Sequence, residues 1–265
     1  AEVESASNTN PITVFYQRLM IPTLCSMRLP RILGGVRSIF SIWHWPRFFS
    51  NPPSGGFEVK KETLRLNGDQ AMGYGALVSG AKFVGGYPGS PSSGALEYLV
   101  PFARSKGIHI EWSSNERVAM EMAIGASISG HRALVCVKSV GMNVMVDPLM
   151  ALNLTPVNGG LVILLGDDPG GYGSQNDQDT RSLATMLEMP MMEPATPEEG
   201  FEMMKEAFRL SEALETAVIV RETSSFGCAV GSIDVAESFF SREAPVYVRE
   251  PMRYVPAPVN AVAKH

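Results

Sequence analysis

The chain has 265 residues, 45% of them hydrophobic, with a formal net charge of −5. That is enough apolar material for one substantial core, and the main body has no basic stripe of the kind that nucleic acid or an anionic membrane would require. Its three cysteines, Cys25, Cys136 and Cys228, are far apart and form no CxxC pair. This excludes an iron–sulfur cluster or structural zinc held by this chain alone and suits a reducing, cytoplasmic compartment.

Residues 1–57 differ from the rest of the chain: prolines recur without period, aromatics cluster in SIFSIWHWPRFF, and five arginines face only two acids. An arginine-rich, serine-rich, acid-poor stretch fits a transit peptide. It also fits an extended arm whose Trp43, Trp45, Phe48 and Phe49 are buried on a partner, the reading favoured here because aromatics and arginine mark interfaces. Pro52 to Gly56 reads as a linker. The expected division is an N-terminal arm and linker, 1–57, and a folded unit, 58–265.

From Lys60 onward strands alternate with helices. A helix from Gly68-Asp69 to about Gly80 precedes a short strand, Lys82 to Tyr87, and Pro91 opens a helix to about Ser105. A strand, Gly107 to Trp112, leads into a helix within Glu111 to Gly130; then come a strand, Arg132 to Val137, and a helix, Val144 to Leu152. The most apolar strand is Gly160 to Leu165. A helix near Thr180 to Leu187, a short strand Met191 to Glu193, an amphipathic helix from Thr196 to Leu214 and the strand Ala217 to Arg221 end the series. The longest tempting membrane segment, Pro148 to Gly166, is broken by two prolines, two asparagines and three glycines. The pattern implies a doubly wound, mostly parallel α/β sheet with helices on both faces, with ligands beyond the carboxyl ends of the strands.

Glu116 falls in the first turn of the helix after Trp112, where a carboxylate suits the positive helix end, and Ser113, Ser114 or Asn115 supplies its cap. Ala119, Ala123, Gly125 and Ala126 leave one side of that helix almost bare. The plain reading is that Glu116 is only a first-turn dipole residue and the small residues pack against a neighbouring helix; the sharper one is a flat cofactor lying across the bare side beside Glu116. GxGxxG after the first strand, GxxxxGK[ST], GxSxG and HExxH are all missing. Gly166-Asp167-Asp168 reads as a strand-end loop whose acids satisfy backbone donors, and no metal site is assigned. Asn143 suits either a cap of the Val144 helix or a site residue, and Gln175 to Arg181 is polar enough for a lid or an interdomain contact.

Four ordered blocks carry a family resemblance: Gly86-Tyr87-Pro88-Gly89-Ser90-Pro91-Ser92-Ser93, Glu111 to Glu116, Val140-Gly141-Met142-Asn143 through Asp147-Pro148, and Asp167-Asp168-Pro169 with Ser174 to Asp179. Together with the tail Glu250 to Pro256 they resemble the pyrimidine-binding domain of 2-oxoacid:ferredoxin oxidoreductases, most of all the large subunit of indolepyruvate ferredoxin oxidoreductase, over about residues 62–262. The resemblance implies a thiamine diphosphate enzyme in which the residue matching Glu116 bonds the pyrimidine ring nitrogen. It implies cofactor contacts at Tyr87, Pro88 and Asn143, and substrate contacts at Gly89, Ser90 and Asn143. It also implies Mg²⁺ and the diphosphate site on a second domain, iron–sulfur centres on partner chains, ferredoxin or a similar acceptor, and oxidation of an arylpyruvate-like 2-oxoacid to an acyl-CoA. Family subunits continue into a diphosphate-binding domain and a cysteine-rich segment, so either this chain is a fragment or those functions sit on other chains. Lys138-Ser139 stands where relatives often carry Lys-His, which leaves the oxoacid open. The rival expectations are a non-oxidative decarboxylase of the same cofactor class and a non-catalytic scaffold of the same fold.

Overall fold

The computed structural model describes residues 61–171, 174–236, 247, 249–255 and 257–260. The arm expected at 1–57 and its aromatic anchors lie outside the described residues.

Six parallel strands form the main sheet: β2 (Phe83–Gly86), β3 (His109–Trp112), β4 (Ala133–Lys138), β5 (Leu161–Asp167), β6 (Met191–Met192) and β7 (Val218–Thr223), in the order β3-β2-β4-β5-β7-β6. Alternate side chains of the central strands enter two separate cores. Val84, Leu134, Cys136, Val162, Leu164, Val218 and Val220 pack with α1 (Gly68–Val78), α2 (Ser93–Leu99) and α8 (Pro197–Leu214). Phe83, Ala133, Val135, Val137, Leu161, Ile163, Leu165 and Ile219 face α4 (Glu116–Ile128), α5 (Ser139–Val144), α6 (Val146–Leu152) and α7 (Arg181–Leu187). A strand apolar on both sides needs both sides covered, and the continuous apolar runs ALVCV and LVILL express that need.

Helix starts follow local chemistry. Asn67 and Gln70 form a capping box at α1, and the Thr196 side chain accepts from Glu199 N ahead of Pro197 at the first position of α8. The expected Pro91–Ser105 helix is broken: a 3₁₀ turn, Val100–Phe102, separates α2 from α3 (Ala103–Lys106), because Pro101 has no N–H to continue the ladder. The expected Val144–Leu152 helix is replaced by α5 and α6, joined at Met145 (φ −95°, ψ 0°), and helix begins already at Ser139.

The series does not end at Arg221. A short helix α9 (Ser224–Cys228) leads to β8 (Val230–Ala236), which pairs antiparallel with β1 (Lys61–Asn67) from Lys61↔Ala236 to Asn67↔Val230. Leu66, Ile233 and Val235 turn inward from this two-stranded ribbon while their neighbours stay exposed, the alternation of a half-buried hairpin-like pair. A last turn, α10 (Pro251–Tyr254), lies near the end of the described residues. Among the described residues no helix is long and apolar enough to cross a membrane.

The chain runs from β2 outward to β3 and then returns to place β4 on the other side of β2. The carboxyl ends of β2 and β4 therefore border the crevice of a doubly wound sheet, at its topological switch point.

Candidate functional site

Glu116 begins α4, and Asn115 caps that helix by accepting from Val118 N at 2.9 Å. Glu116, Ala119, Met120, Ala123 and Ser127 form its buried stripe. The stripe rests on the sheet, so Glu116 is carried at its leading end to the carboxyl ends of β2 and β4. The side chain is 9% exposed and lies across Gly141 of α5, where a Cβ would stand 2.7 Å from Glu116 Cγ and 2.8 Å from Oε1. The carboxylate has no hydrogen-bond or ion-pair partner among the described residues. By contrast, the neighbouring Glu111 binds His109 (2.8 Å) and accepts from Ser113 (3.1 Å), and the His109 bond above all holds its carboxyl below the usual range.

The bare side of α4 has a different partner from the one its sharper reading suggested. Ala119 and Ala123 are fully buried in the core with Phe83 and Val135, so the small side chains admit the sheet and present no platform to a flat ring. Gly125 faces open space. Helix–sheet packing and ligand approach call for the same small residues, and only the direction of the face separates them.

The Tyr87–Ser93 loop forms the opposite wall. Tyr87, Pro88 and Ser90 are exposed, and the Ser90–Pro91 peptide is cis. Gly89 donates its N–H to Ser93 Oγ at 2.8 Å, while Ser93 N–H returns to Gly89 O at 3.2 Å. The Gly89 amide is thus consumed inside the loop, and Ser90 keeps its hydroxyl for other use. A Cβ on Gly89 would stand 2.9 Å from Lys138 Cδ, so the lysine stem lies directly against the loop.

Asn143 is an interior residue of α5 and caps no helix, correcting one of its two expected roles. Its side-chain amide donates to Gln178 Oε1 at 2.8 Å and its carbonyl accepts from Gln178 Nε2 at 3.1 Å. Gln178 also donates to Ser139 O at 3.2 Å, and Lys138 Nζ donates to Gln175 Oε1 at 3.1 Å. The Gln175–Gln178 stretch is therefore fastened across the start of α5. Sequence reasoning gave no role to Lys138 and placed Gln178 only within a polar stretch suited to a lid or an interdomain contact. The available signal was a lysine ending an otherwise apolar central strand.

Asp167, at the end of β5, is fully buried and accepts from Thr180 N (2.9 Å), Thr180 Oγ1 (3.1 Å) and Arg221 Nε (2.8 Å). Arg221 also pairs with Glu193. The expected backbone donor to Asp167 is thus Thr180, and this acid is saturated by the fold.

A family profile described as pyruvate flavodoxin/ferredoxin oxidoreductase, thiamine diphosphate-binding, matches residues 74–239. The chain is 37% identical over 209 residues to indolepyruvate oxidoreductase subunit IorA of Pyrococcus abyssi, spanning 77% of this chain and 32% of that relative. It is 34% identical over 211 residues to the Archaeoglobus fulgidus subunit of the same name, spanning 77% and 34%. A more distant relative, 2-oxoglutarate synthase subunit KorA of Archaeoglobus fulgidus, is 28% identical over 165 residues, 58% of this chain and 46% of that one. The solved 2-oxoglutarate:ferredoxin oxidoreductase of Magnetococcus marinus superposes with a TM-score of 0.58 at 17% identity, over 66% of this chain and 32% of that chain, and so shares the fold. The chain spans about a third of the length of the IorA relatives it matches.

Proposed function

We propose, from the premise that this chain belongs to the thiamine diphosphate-binding family of pyruvate flavodoxin/ferredoxin oxidoreductases, that it forms the pyrimidine-binding part of a 2-oxoacid:ferredoxin oxidoreductase. The observation that carries this reading is Glu116: a nearly buried carboxylate without a partner among the described residues, seated on Gly141 in the crevice between the ends of β2 and β4. An aminopyrimidine offers such a group a weakly basic ring nitrogen. When bound, thiamine diphosphate supplies the nucleophilic carbon for attack on a 2-oxoacid and a sink for the electrons of decarboxylation.

This chain's own residues then have distinct tasks. Glu116 holds a proton between its Oε atom and the ring nitrogen, the work of a positioned acid–base group. Tyr87 and Pro88 wall the ring on the loop side. Ser90 presents a hydroxyl to the substrate carboxylate, with Gly89 lending a close backbone approach, and the Lys138 ammonium beside them adds the counter-charge. Asn143 acts mainly by holding Gln178, which closes the start of α5. The complete reaction is oxidative decarboxylation of an arylpyruvate-like 2-oxoacid to its acyl-CoA in the cytoplasm. Mg²⁺ and the diphosphate are held by a second domain, and iron–sulfur centres on partner subunits pass electrons to ferredoxin or a similar acceptor.

The test is Glu116→Gln in the complex reconstituted with its partner chains, read as 2-oxoacid-dependent reduction of an artificial electron acceptor. Loss of such a group costs roughly 10²–10⁴-fold in rate. Glu121→Gln serves as the control, since Glu121 is exposed and engaged with Arg117 at 2.8 Å. Retention of more than about a tenth of wild-type turnover in Glu116→Gln contradicts the assignment. Aldehyde formation without acceptor reduction identifies the decarboxylase instead, and a wild-type complex with no 2-oxoacid turnover identifies the scaffold.

A further inference from the structure

Two other carboxyl groups lie beneath the Tyr87–Ser93 loop. Glu222, near the end of β7, is 1% exposed, and both its carboxyl oxygens are sealed from solvent without a hydrogen-bond donor. Asp69, in the first turn of α1, has Oδ1 sealed in the same way. The two carboxyl groups are neighbours that act on each other electrostatically, and no cation pairs with either among the described residues. Two ionised carboxylates only accept, so this contact becomes a bond only when one of them carries a proton.

Asp69 packs on the residue that follows the loop, and Glu222 stands beside the strand that supports it. A Cβ on Gly94, the residue after the loop, would collide with the Asp69 carboxylate, and one on Gly227 would stand 2.6 Å from Asp69 Oδ1. Glu222 stands opposite Gly166 in the β5–β7 ladder. A Cβ on Gly166 would in turn meet Pro91 Cδ at 2.7 Å and Ser92 N at 2.8 Å, so the loop rests on that glycine.

We propose that Asp69 and Glu222 share a single proton, and that this pair is a positioning device for the Tyr87–Ser93 loop whose loss sets an alkaline limit on the site. That the positioned loop serves a substrate rests on the function proposed above; the shared proton and the placement of the loop do not.

The other titratable groups facing the pair are Glu97 of α2 and the Cys136 thiol of β4, and neither brings a positive charge. Burial above all pushes Asp69 up to about 6; the bond to Glu222 works against that and the Glu97 charge with it. Burial, then the Asp69 charge and contact, pushes Glu222 well above the usual carboxylate range. Both folded values exceed the unfolded ones. The folded chain therefore binds more protons than the unfolded chain above about pH 4, and stability falls as pH rises through the folded values.

Wild-type full chain is compared with Glu222→Gln, whose amide donates to Asp69 and has nothing to titrate. In the infrared, the carbonyl band of a neutral carboxylic acid should persist in wild type at pH 7 and be missing in Glu222→Gln. Between pH 5 and pH 9 the wild-type Tm should fall while the variant's stays nearly flat, leaving the variant roughly 2–8 °C higher at the alkaline end. Amide hydrogen exchange at residues 89–94, corrected for its intrinsic pH dependence, should accelerate as the band fades in wild type and not in the variant. If Glu222→Gln does not fold, the double variant Asp69→Asn/Glu222→Gln gives the same readings without any ionisable group at the pair. A missing band in wild type, equal pH slopes in both proteins, or loop exchange indifferent to the loss of the band each overturns the proposal. So does a wild type without the band whose Tm rises with added K⁺ or Mg²⁺, since the pair then holds a cation. None of these readings needs turnover, so a complex without 2-oxoacid activity defeats the functional reading and leaves this one standing. Where turnover exists, KM for the 2-oxoacid should rise with pH in wild type and stay level in Glu222→Gln.

Discussion

Two regions along the carboxyl edge of the same sheet treat buried acids in opposite ways. At β5 and β7, Asp167 is saturated by Thr180 and Arg221, and Arg221 in turn reaches Glu193. At β2 and β4, Glu116 lies on Gly141 with no donor among the described residues, beside an exposed loop. The first arrangement is what a fold does with a charge it needs only for cohesion, because an unpaired buried charge is costly. The second leaves that cost standing at the switch-point crevice, which marks the acid as reserved for something that binds there. Substitutions in the saturated network should thus cost stability, and those at the crevice should cost chemistry.

The largest stability effect is expected from Arg221→Met. It strands the fully buried Asp167 and should lower the unfolding free energy by about 3–5 kcal/mol, measured by urea denaturation. A loss below about 1 kcal/mol would erase the contrast, because it would mean that the network is no more than a surface-like pair. Gly141→Ala comes next: its new methyl meets Glu116, so a cost of about 1–3 kcal/mol is expected. If the displaced carboxylate is the acid–base group, turnover should also fall on the order of 10²-fold. Full activity in this variant would separate Glu116 from the chemistry. Gln178→Ala removes the fastening across α5 and should cost about 1 kcal/mol in the same denaturation experiment. Smallest is Glu116→Gln itself, where the lost helix-start interaction and the relief of a buried unpaired charge oppose each other, leaving a change within about 1 kcal/mol. A stability loss of several kcal/mol there would place Glu116 among the cohesive acids with Asp167.

The amino-acid pattern foretold the central strands, the parallel sheet and the polar edge of the site, because each rests on neighbouring residues: apolar runs such as LVILLGD, caps such as Asn67 and Thr196, and glycine-rich strand ends. What it concealed depends on distant pairing. The alternation in KETLRLN and VGSIDVA was readable as half-buried strands, yet nothing local says that Lys61 stands beside Ala236. The same holds for Arg221 with Asp167 on the neighbouring strand and Glu222 with Asp69 on a covering helix, pairings between segments far apart in the chain. The direction of the Ala119–Ala123 face was illegible for another reason: two different neighbours ask for the same side chains. At Lys138–Asn143 the glycine and asparagine suggested a loop, whereas the strand passes straight into a helix whose Gly141 is needed to admit Glu116.

The antiparallel clasp of β1 and β8 has a consequence for how this fold can be carried. Because Lys61 is the ladder partner of Ala236, the two outer ends of this ribbon are roughly 5 Å apart. A unit whose two ends meet can be spliced into a host polypeptide at its start, middle or finish without stretching any internal connection. By the same geometry, a short bridge from residue 236 back to residue 61, with a new opening at the surface turn Ser105-Lys106-Gly107, yields a circularly permuted chain with every strand of the main sheet in its original place.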